Sequence, residues 1–123
     1  MSQALAEVIR NNKGEVRFNC GAKKIIIKNS KAVGVVTESG EELTADVIVS
    51  NISPTATYFD LIDPQDVPKD AVRYLSNFKP SKSLISNLEF AGGFVGLCGF
   101  SPNYIQGYKK ANEILKKYWN GGI

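Results

Sequence analysis

The residues of this 123-residue chain that could do chemistry are few, and most of them are glycines. Gly92, Gly93, Gly96 and Gly99 separate an apolar run, Leu84–Phe90, from a helical pattern that continues to about Trp119 and contains Gly107. Glycine lets backbone approach a ligand closely. A helix that starts after such a connection offers free N–H groups and the positive end of its dipole to an anion such as a pyrophosphate. The same glycines serve equally well for tight packing of a strand on a helix. Asn51 is a further polar candidate, because it follows the apolar run Val47–Val49 and open α/β sheets collect ligands beyond the carboxyl ends of their strands. Asp46, a lone carboxylate before that run, reads as a structural hydrogen-bond acceptor with no reaction role.

Other chemistries are excluded by composition. The chain has no histidine, which removes the commonest general base and the usual Ser-His and Cys-His pairs. Cys20 and Cys98 form no Cys-x-x-Cys unit, so a zinc site is not expected and no metal ligands are assigned. Any catalysis would then rest on a cofactor, and no catalytic residue is named. A net charge of +3 and a pI near 8.9 arise from dispersed charges, a poor basis for nucleic-acid binding. Lys109, Lys110, Lys116 and Lys117 read as cations favoured near a helix C-terminus by its dipole. Neither a secretory leader nor an apolar stretch of membrane-spanning length is evident, so a reducing cytoplasmic setting is expected, with Asn51-Ile52-Ser53 an incidental sequon.

The elements that must position these residues are α/β, with α+β mixing. Composition is that of an ordinary globular domain, and residues 1–123 fit a single one. Ser2 caps a first helix with Leu5, Val8 and Ile9 on one face, stopped by Asn12-Lys13-Gly14. Glu15–Phe18 reads as a brief strand. Ala22–Lys28, a turn at Asn29-Ser30, Ala32–Thr37, a turn at Ser39-Gly40 and Glu41–Thr44 then form a three-stranded antiparallel meander. Val47–Val49 is a short buried strand, and Ser53 and Pro54 open a helix reaching about Ile62. A helix over roughly Lys69–Leu75, a strand over Leu84–Phe90 and a helix over Asn103–Trp119 complete the chain. On that last helix Tyr104, Tyr108, Ala111, Leu115 and Tyr118 share an apolar face.

One ordered set of residues resembles a known family. Gly14-Glu15-Val16-Arg17, Ala22 with Lys24-Ile25, Gly34-Val35, Gly40-Glu41, Ala45-Asp46-Val47-Ile48 and Pro54 follow, in order and spacing, the middle segment of FAD-dependent oxidoreductases of the phytoene desaturase and amine oxidase superfamily. The tail, Leu88–Gly92 with Gly96, Gly99, Gln106-Gly107, Ala111 and Ile114-Leu115, is similar to the C-terminal strand, glycine-rich loop and helix of that superfamily. In place of the family's usual residues stand Ala22 for valine, Gly93 for an acidic or polar residue and Gln106 for serine.

The resemblance implies a partial FAD-binding domain, with 1–80 its middle segment and 81–123 its C-terminal strand, loop and helix. It implies that the strand at Ala22 passes the adenine and the loop after Val49 passes the phosphate and ribose region. Ala22, Asn51, Gly92, Gly93 and Gly107 are the cofactor contacts expected on this basis. A complete parent enzyme would dehydrogenate an apolar substrate by hydride transfer to flavin. The Gly-x-Gly-x-x-Gly fingerprint does not occur and Pro80 nearly adjoins Leu88, where the family places a long substrate-binding region. The isolated chain is therefore expected to hold FAD weakly or not at all and to be inactive, its partners being more copies of itself or the remainder of a parent chain. The alternative is a small stand-alone α+β interaction module, docking through Tyr104, Tyr108, Tyr118 and Trp119.

Overall fold

Apolar and β-branched runs broken by two-residue turns give this chain its sheets. The computed structural model describes residues 2–76, 83–91 and 100–119. In chain order the elements are α1 (Ser2–Asn11), β1 (Ala22–Lys28), β2 (Lys31–Thr37), β3 (Glu42–Thr44), β4 (Ile48–Ser50), α2 (Pro54–Asp60), α3 (Ala71–Ser76), β5 (Leu88–Phe90) and α4 (Phe100–Tyr118).

The antiparallel meander β1-β2-β3 forms as its sequence suggests. Asn29 and Ser30 both adopt positive φ, 52° and 59°, and Lys28 pairs with Lys31 across them. Such a turn twists in the sense the flanking strands need. Gly34 faces β3 so closely that a Cβ there would lie 2.6 Å from the Leu43 carbonyl oxygen. Any larger residue would push the strands apart.

β4 and β5 make a second, parallel pair, with Ile48 opposite Leu88 and Ser50 opposite Phe90. The two sheets are stitched together by the segment before β5: Ala32 N–H donates to the Ser86 carbonyl at 2.8 Å, and Ser86 N–H donates to that of Ser30 at 3.3 Å. Between them lies one core, built from Ile25, Ala32, Ile48, Tyr58, Ile62, Ile85, Leu88 and Phe90. Tyr58 and Phe90 meet edge to face at 5.6 Å and are fully buried. Losing a buried phenylalanine of this kind costs about 3–5 kcal/mol. The Tyr58 hydroxyl accepts from Leu84 N–H at 2.8 Å, so its polar end is satisfied.

Three expectations change. Glu15–Phe18 is not a strand: the chain bends at Phe18 and Asn19, where φ is 51°, and Arg17 spends its guanidinium on Glu15 and Glu41 instead of joining a ladder. The strand expected over Leu84–Phe90 contracts to β5, because Asn87 takes a left-handed φ of 62° just before it. On α1 the buried residue is Ala6, whereas Leu5, Val8 and Ile9 are 59%, 57% and 45% exposed. α1 ends in paired bonds from Lys13 N–H to Arg10 O (3.0 Å) and from Gly14 N–H to Ile9 O (2.8 Å), with Lys13 as the left-handed residue. Gly14 is required there because a Cβ would sit 2.5 Å from Ile9 Cγ2.

Candidate functional site

The carboxyl edge of the parallel pair brings together segments far apart in sequence. β4 ends at Ser50 and β5 at Phe90, and these residues are register partners. Ala91 N–H donates to the Ser50 carbonyl at 3.0 Å, so Asn51 and Ala91 leave the sheet side by side. Gly92 and Gly93 follow Ala91 in the chain but lie outside the described residues.

The path after β4 is fixed by hydroxyl groups. Ser53 Oγ accepts from Ala56 N–H at 3.1 Å and caps α2. Thr57 Oγ1 donates to the Ser53 carbonyl at 3.0 Å. A hydroxyl has a single proton to give, so in the 2.7 Å bond between Ser50 Oγ and Thr57 Oγ1 it is Ser50 that donates. Ser50 and Thr57 are both buried. Asn51, at the bend they enforce, is exposed. Asp46 contributes its backbone carbonyl, which accepts from Asn87 Nδ2 at 2.7 Å and ties the entrances of the two strands together.

Ala22 opens β1 at a different place, on the wall of a cleft of about 330 Å³ shared with Glu15, Arg17, Cys20, Val35 and Leu43. That volume lies at the small end of ligand pockets, which run from roughly 300 to 1,000 Å³. Arg17 is bound by Glu15 and Glu41, each at 2.5 Å. Hydrogen bonding from Arg17 holds the Glu15 carboxyl below its ordinary value, and the two carboxylates raise the arginine's. Arg17, the cation among the residues lining this cleft, is already neutralised by two carboxylates, and Ala22, Val35 and Leu43 supply apolar wall. Gly107 lies within α4, seven residues beyond its first residue Phe100.

The face of α4 that meets the sheet differs from the apolar face expected. Tyr108 is 69% exposed and Trp119 50%. Tyr104 lies among residues whose side chains are outside the description. The contact is made by Lys110, Ile114, Lys117 and Tyr118, which follow one another at helical spacing. Lys110, Ile114 and Lys117, together with Ser83, Ile85 and Glu89, line a cavity of about 320 Å³.

At the centre of that contact is Glu89, whose side chain is 8% exposed. Its Oε2 meets Lys110 Nζ at 2.8 Å, its Oε1 meets Lys117 Nζ at 2.8 Å, and Oε1 also accepts from the Tyr118 hydroxyl at 3.2 Å. Burial alone would raise the carboxyl's pKa; hydrogen bonds from Lys110 and Lys117 outweigh that and hold it below the usual carboxylate range. The Lys117 ammonium, bonded to Glu89, is raised in turn. Sequence reasoning treated Lys110 and Lys117 as dipole-favoured surface cations and passed over Glu89. The available signal was a charged residue inside the apolar string Leu88-Glu89-Phe90-Ala91, which burial requires to find counter-charges. Among the described residues, no group of His, Cys, Asp and Glu side chains could hold a metal ion, and Cys20 is an exposed free thiol.

A parallel strand pair beside an antiparallel meander, with helices interspersed, makes this a mixed α/β fold. Across residues 1–118 the chain matches the family model for flavin-containing amine oxidoreductases, and it belongs to that family. It is 28% identical over 86 residues to a chloroplastic prolycopene isomerase of Daucus carota, covering 70% of this chain and 14% of that protein. It is 36% identical over 67 residues to the neurosporene-forming phytoene desaturase of Rhodobacter capsulatus, covering 54% of this chain and 13% of the relative. A 4,4'-diapophytoene desaturase of Methylomonas sp is 33% identical over 64 residues, 52% of this chain and 12% of the relative. The chain thus spans only 12 to 14% of the length of these relatives. No solved structure matches it significantly.

Proposed function

We propose that this chain forms part of the cofactor domain of a FAD-dependent oxidoreductase acting on an apolar substrate of the class for which its phytoene and prolycopene relatives are named. The observation that supports this most is the convergence of Asn51 and Ala91 at the carboxyl edge of β4 and β5, where the glycines of the tail begin. In this reading Asn51, Gly92, Gly93 and Gly107 face the phosphate and ribose of FAD, and the cleft at Ala22 takes the neutral adenine. When bound in the complete enzyme, the flavin would accept a hydride from the substrate. The chain's own residues orient the cofactor: Ser50, Ser53 and Thr57 fix the bend at Asn51, and Gly34 keeps β2 close against β3.

The 123 residues alone supply one side of that site, so on their own they bind FAD weakly and turn over no substrate. A titration of the purified chain with FAD, followed by flavin fluorescence and thermal shift, tests this. Fluorescence should change little at micromolar chain and FAD; tight one-to-one binding would overturn the partial-site reading. A reducing cytoplasmic setting is compatible with the free thiol of Cys20. Among the described residues no helix is long and apolar enough to cross a membrane.

A second reading, an interaction module docking through α4, draws on the exposure of Tyr108 and Trp119. Deleting residues 103–123 separates the two. Loss of folding supports packing of α4 in the flavin-domain scaffold, whereas a folded remainder with newly exposed apolar surface supports docking.

A further inference from the structure

Strand alternation sorts the residues of β5 between two faces. Leu88 and Phe90 join the core, and Glu89 between them lies on the other face, under α4. The register partner of Glu89 there is Val49, which is 48% exposed, so α4 covers β5 and leaves β4 open. From Tyr108 to Tyr118 no residue of α4 is buried; Lys110, Asn112, Ile114, Leu115 and Tyr118 are half-buried and the others exposed. Apolar burial therefore contributes little to holding this stretch in place. The contacts that hold it are polar. Lys110 and Lys117, two helical turns apart, each take one oxygen of the Glu89 carboxylate, and the Tyr118 hydroxyl donates to Oε1.

We propose that residues 108–118 form a strap, latched on β5 by Glu89, that opens in acid ahead of the two sheets. Between strap and sheet lies the cavity of about 320 Å³, with Ser83, Ile85 and Ser86 on its sheet side. Opening the latch bares that cavity and the outer face of β5. The charged and titratable groups facing Glu89 are Lys110, Glu113, Lys117 and Tyr118, all from α4. β4 presents Val49, and the segment before β5 presents Ser83 and Ser86 along the cavity. Burial pushes the Glu89 carboxyl up, and hydrogen bonds from Lys110 and Lys117 outweigh it and hold the group below its ordinary value of 4.5. The latch is therefore complete above that value and is lost as pH falls through the lowered pKa. Protonation leaves two ammoniums without the charge that joins them. The strap is independent of the flavin reading, since it involves neither the cleft at Ala22 nor Asn51.

The test uses the full chain, labelled with ¹⁵N, and compares it with Glu89→Gln and Lys117→Met. In Glu89→Gln at neutral pH, amide exchange over residues 108–118 should accelerate at least about tenfold while the β1 and β2 amides keep their rates. On acidification the unmutated chain should change the fluorescence of Trp119, its sole tryptophan, below pH 4.5 and before the β1 and β2 amide shifts collapse. Glu89→Gln should lack that separate step. If Glu89→Gln does not fold, Lys117→Met, at a 60% exposed lysine, should show a roughly two- to threefold acceleration in the same residues. Unchanged exchange over 108–118 in the variant that folds would overturn the proposal, because apolar contacts would then hold α4. An acid change at Trp119 that coincides with loss of the β1 and β2 shifts would overturn it too, since the helix would not open on its own. So would a separate acid step retained in Glu89→Gln, which would put the latch elsewhere.

Discussion

Two carboxylate and cation clusters hold different parts of this molecule, and only one of them has structural weight. Arg17 bridges Glu15 and Glu41 at the rim of the meander with contacts of 2.5 Å, as short as any ion pair would need. Yet its side chain is 34% exposed and its partners 70% and 50%, so water and salt screen the attraction. Glu89 lies at 8% exposure beneath α4, where its longer 2.8 Å contact with Lys110, itself 13% exposed, acts with little screening, while that with the 60% exposed Lys117 is screened more. Distance therefore ranks these clusters wrongly and burial ranks them correctly. The difference also bears on role: the Arg17 cluster neutralises the wall of the cleft at Ala22, while the Glu89 cluster sets where a helix sits.

Four substitutions or conditions would break or sharpen that contrast. The largest effect is expected from Lys110→Met, which leaves Glu89 buried with part of its counter-charge gone. Breaking a buried pair from one side costs about 3–5 kcal/mol, and urea denaturation should register a loss of that order. Acid comes next. Because the folded Glu89 carboxyl is held below its ordinary value, its contribution is complete above that value and disappears as pH falls through the lowered pKa. A stability profile from pH 7 down to 2 should therefore drop less steeply in Glu89→Gln than in the unmutated chain.

Thr57→Val tests a buried neutral pair for comparison. It removes the acceptor of Ser50 Oγ and should cost about 1–3 kcal/mol in the same denaturation assay. The smallest effect belongs to Arg17→Met, below about 1 kcal/mol at low salt and vanishing at high salt. A loss as large as that of Lys110→Met would contradict the burial argument.

Much of the scaffold was legible from local pattern. The run Ile25-Ile26-Ile27, the turn residues Asn29 and Ser30 and the valines of β2 each carry their own instruction, and the meander follows them. Ser53 and Pro54 likewise announce α2. What escaped depends on partners distant in sequence. Glu15–Phe18 has the composition of a strand but no neighbour to ladder with, and Asn19 turns it away. The Leu5, Val8 and Ile9 face of α1 has the right spacing for burial, but nothing among the described residues covers it. On α4, helical periodicity selected the tyrosines, whereas the counter-charges demanded by Glu89 select Lys110 and Lys117. Of the candidate site residues, the position of Asn51 at the end of an apolar strand was legible, but its placement beside Ala91 required the parallel pairing of β4 with β5.

The central claim is that the carboxyl edge of β4 and β5, together with the cleft at Ala22, is one side of a flavin nucleotide site. Its most direct test is a millimolar titration of the ¹⁵N-labelled chain with FAD, read by amide chemical shifts. The account predicts weak binding with changes concentrated at Ala22, at Asn51–Ser53, at Ala91–Gly93 and around Gly107. Changes confined to other surfaces, or none at saturating FAD, would contradict it.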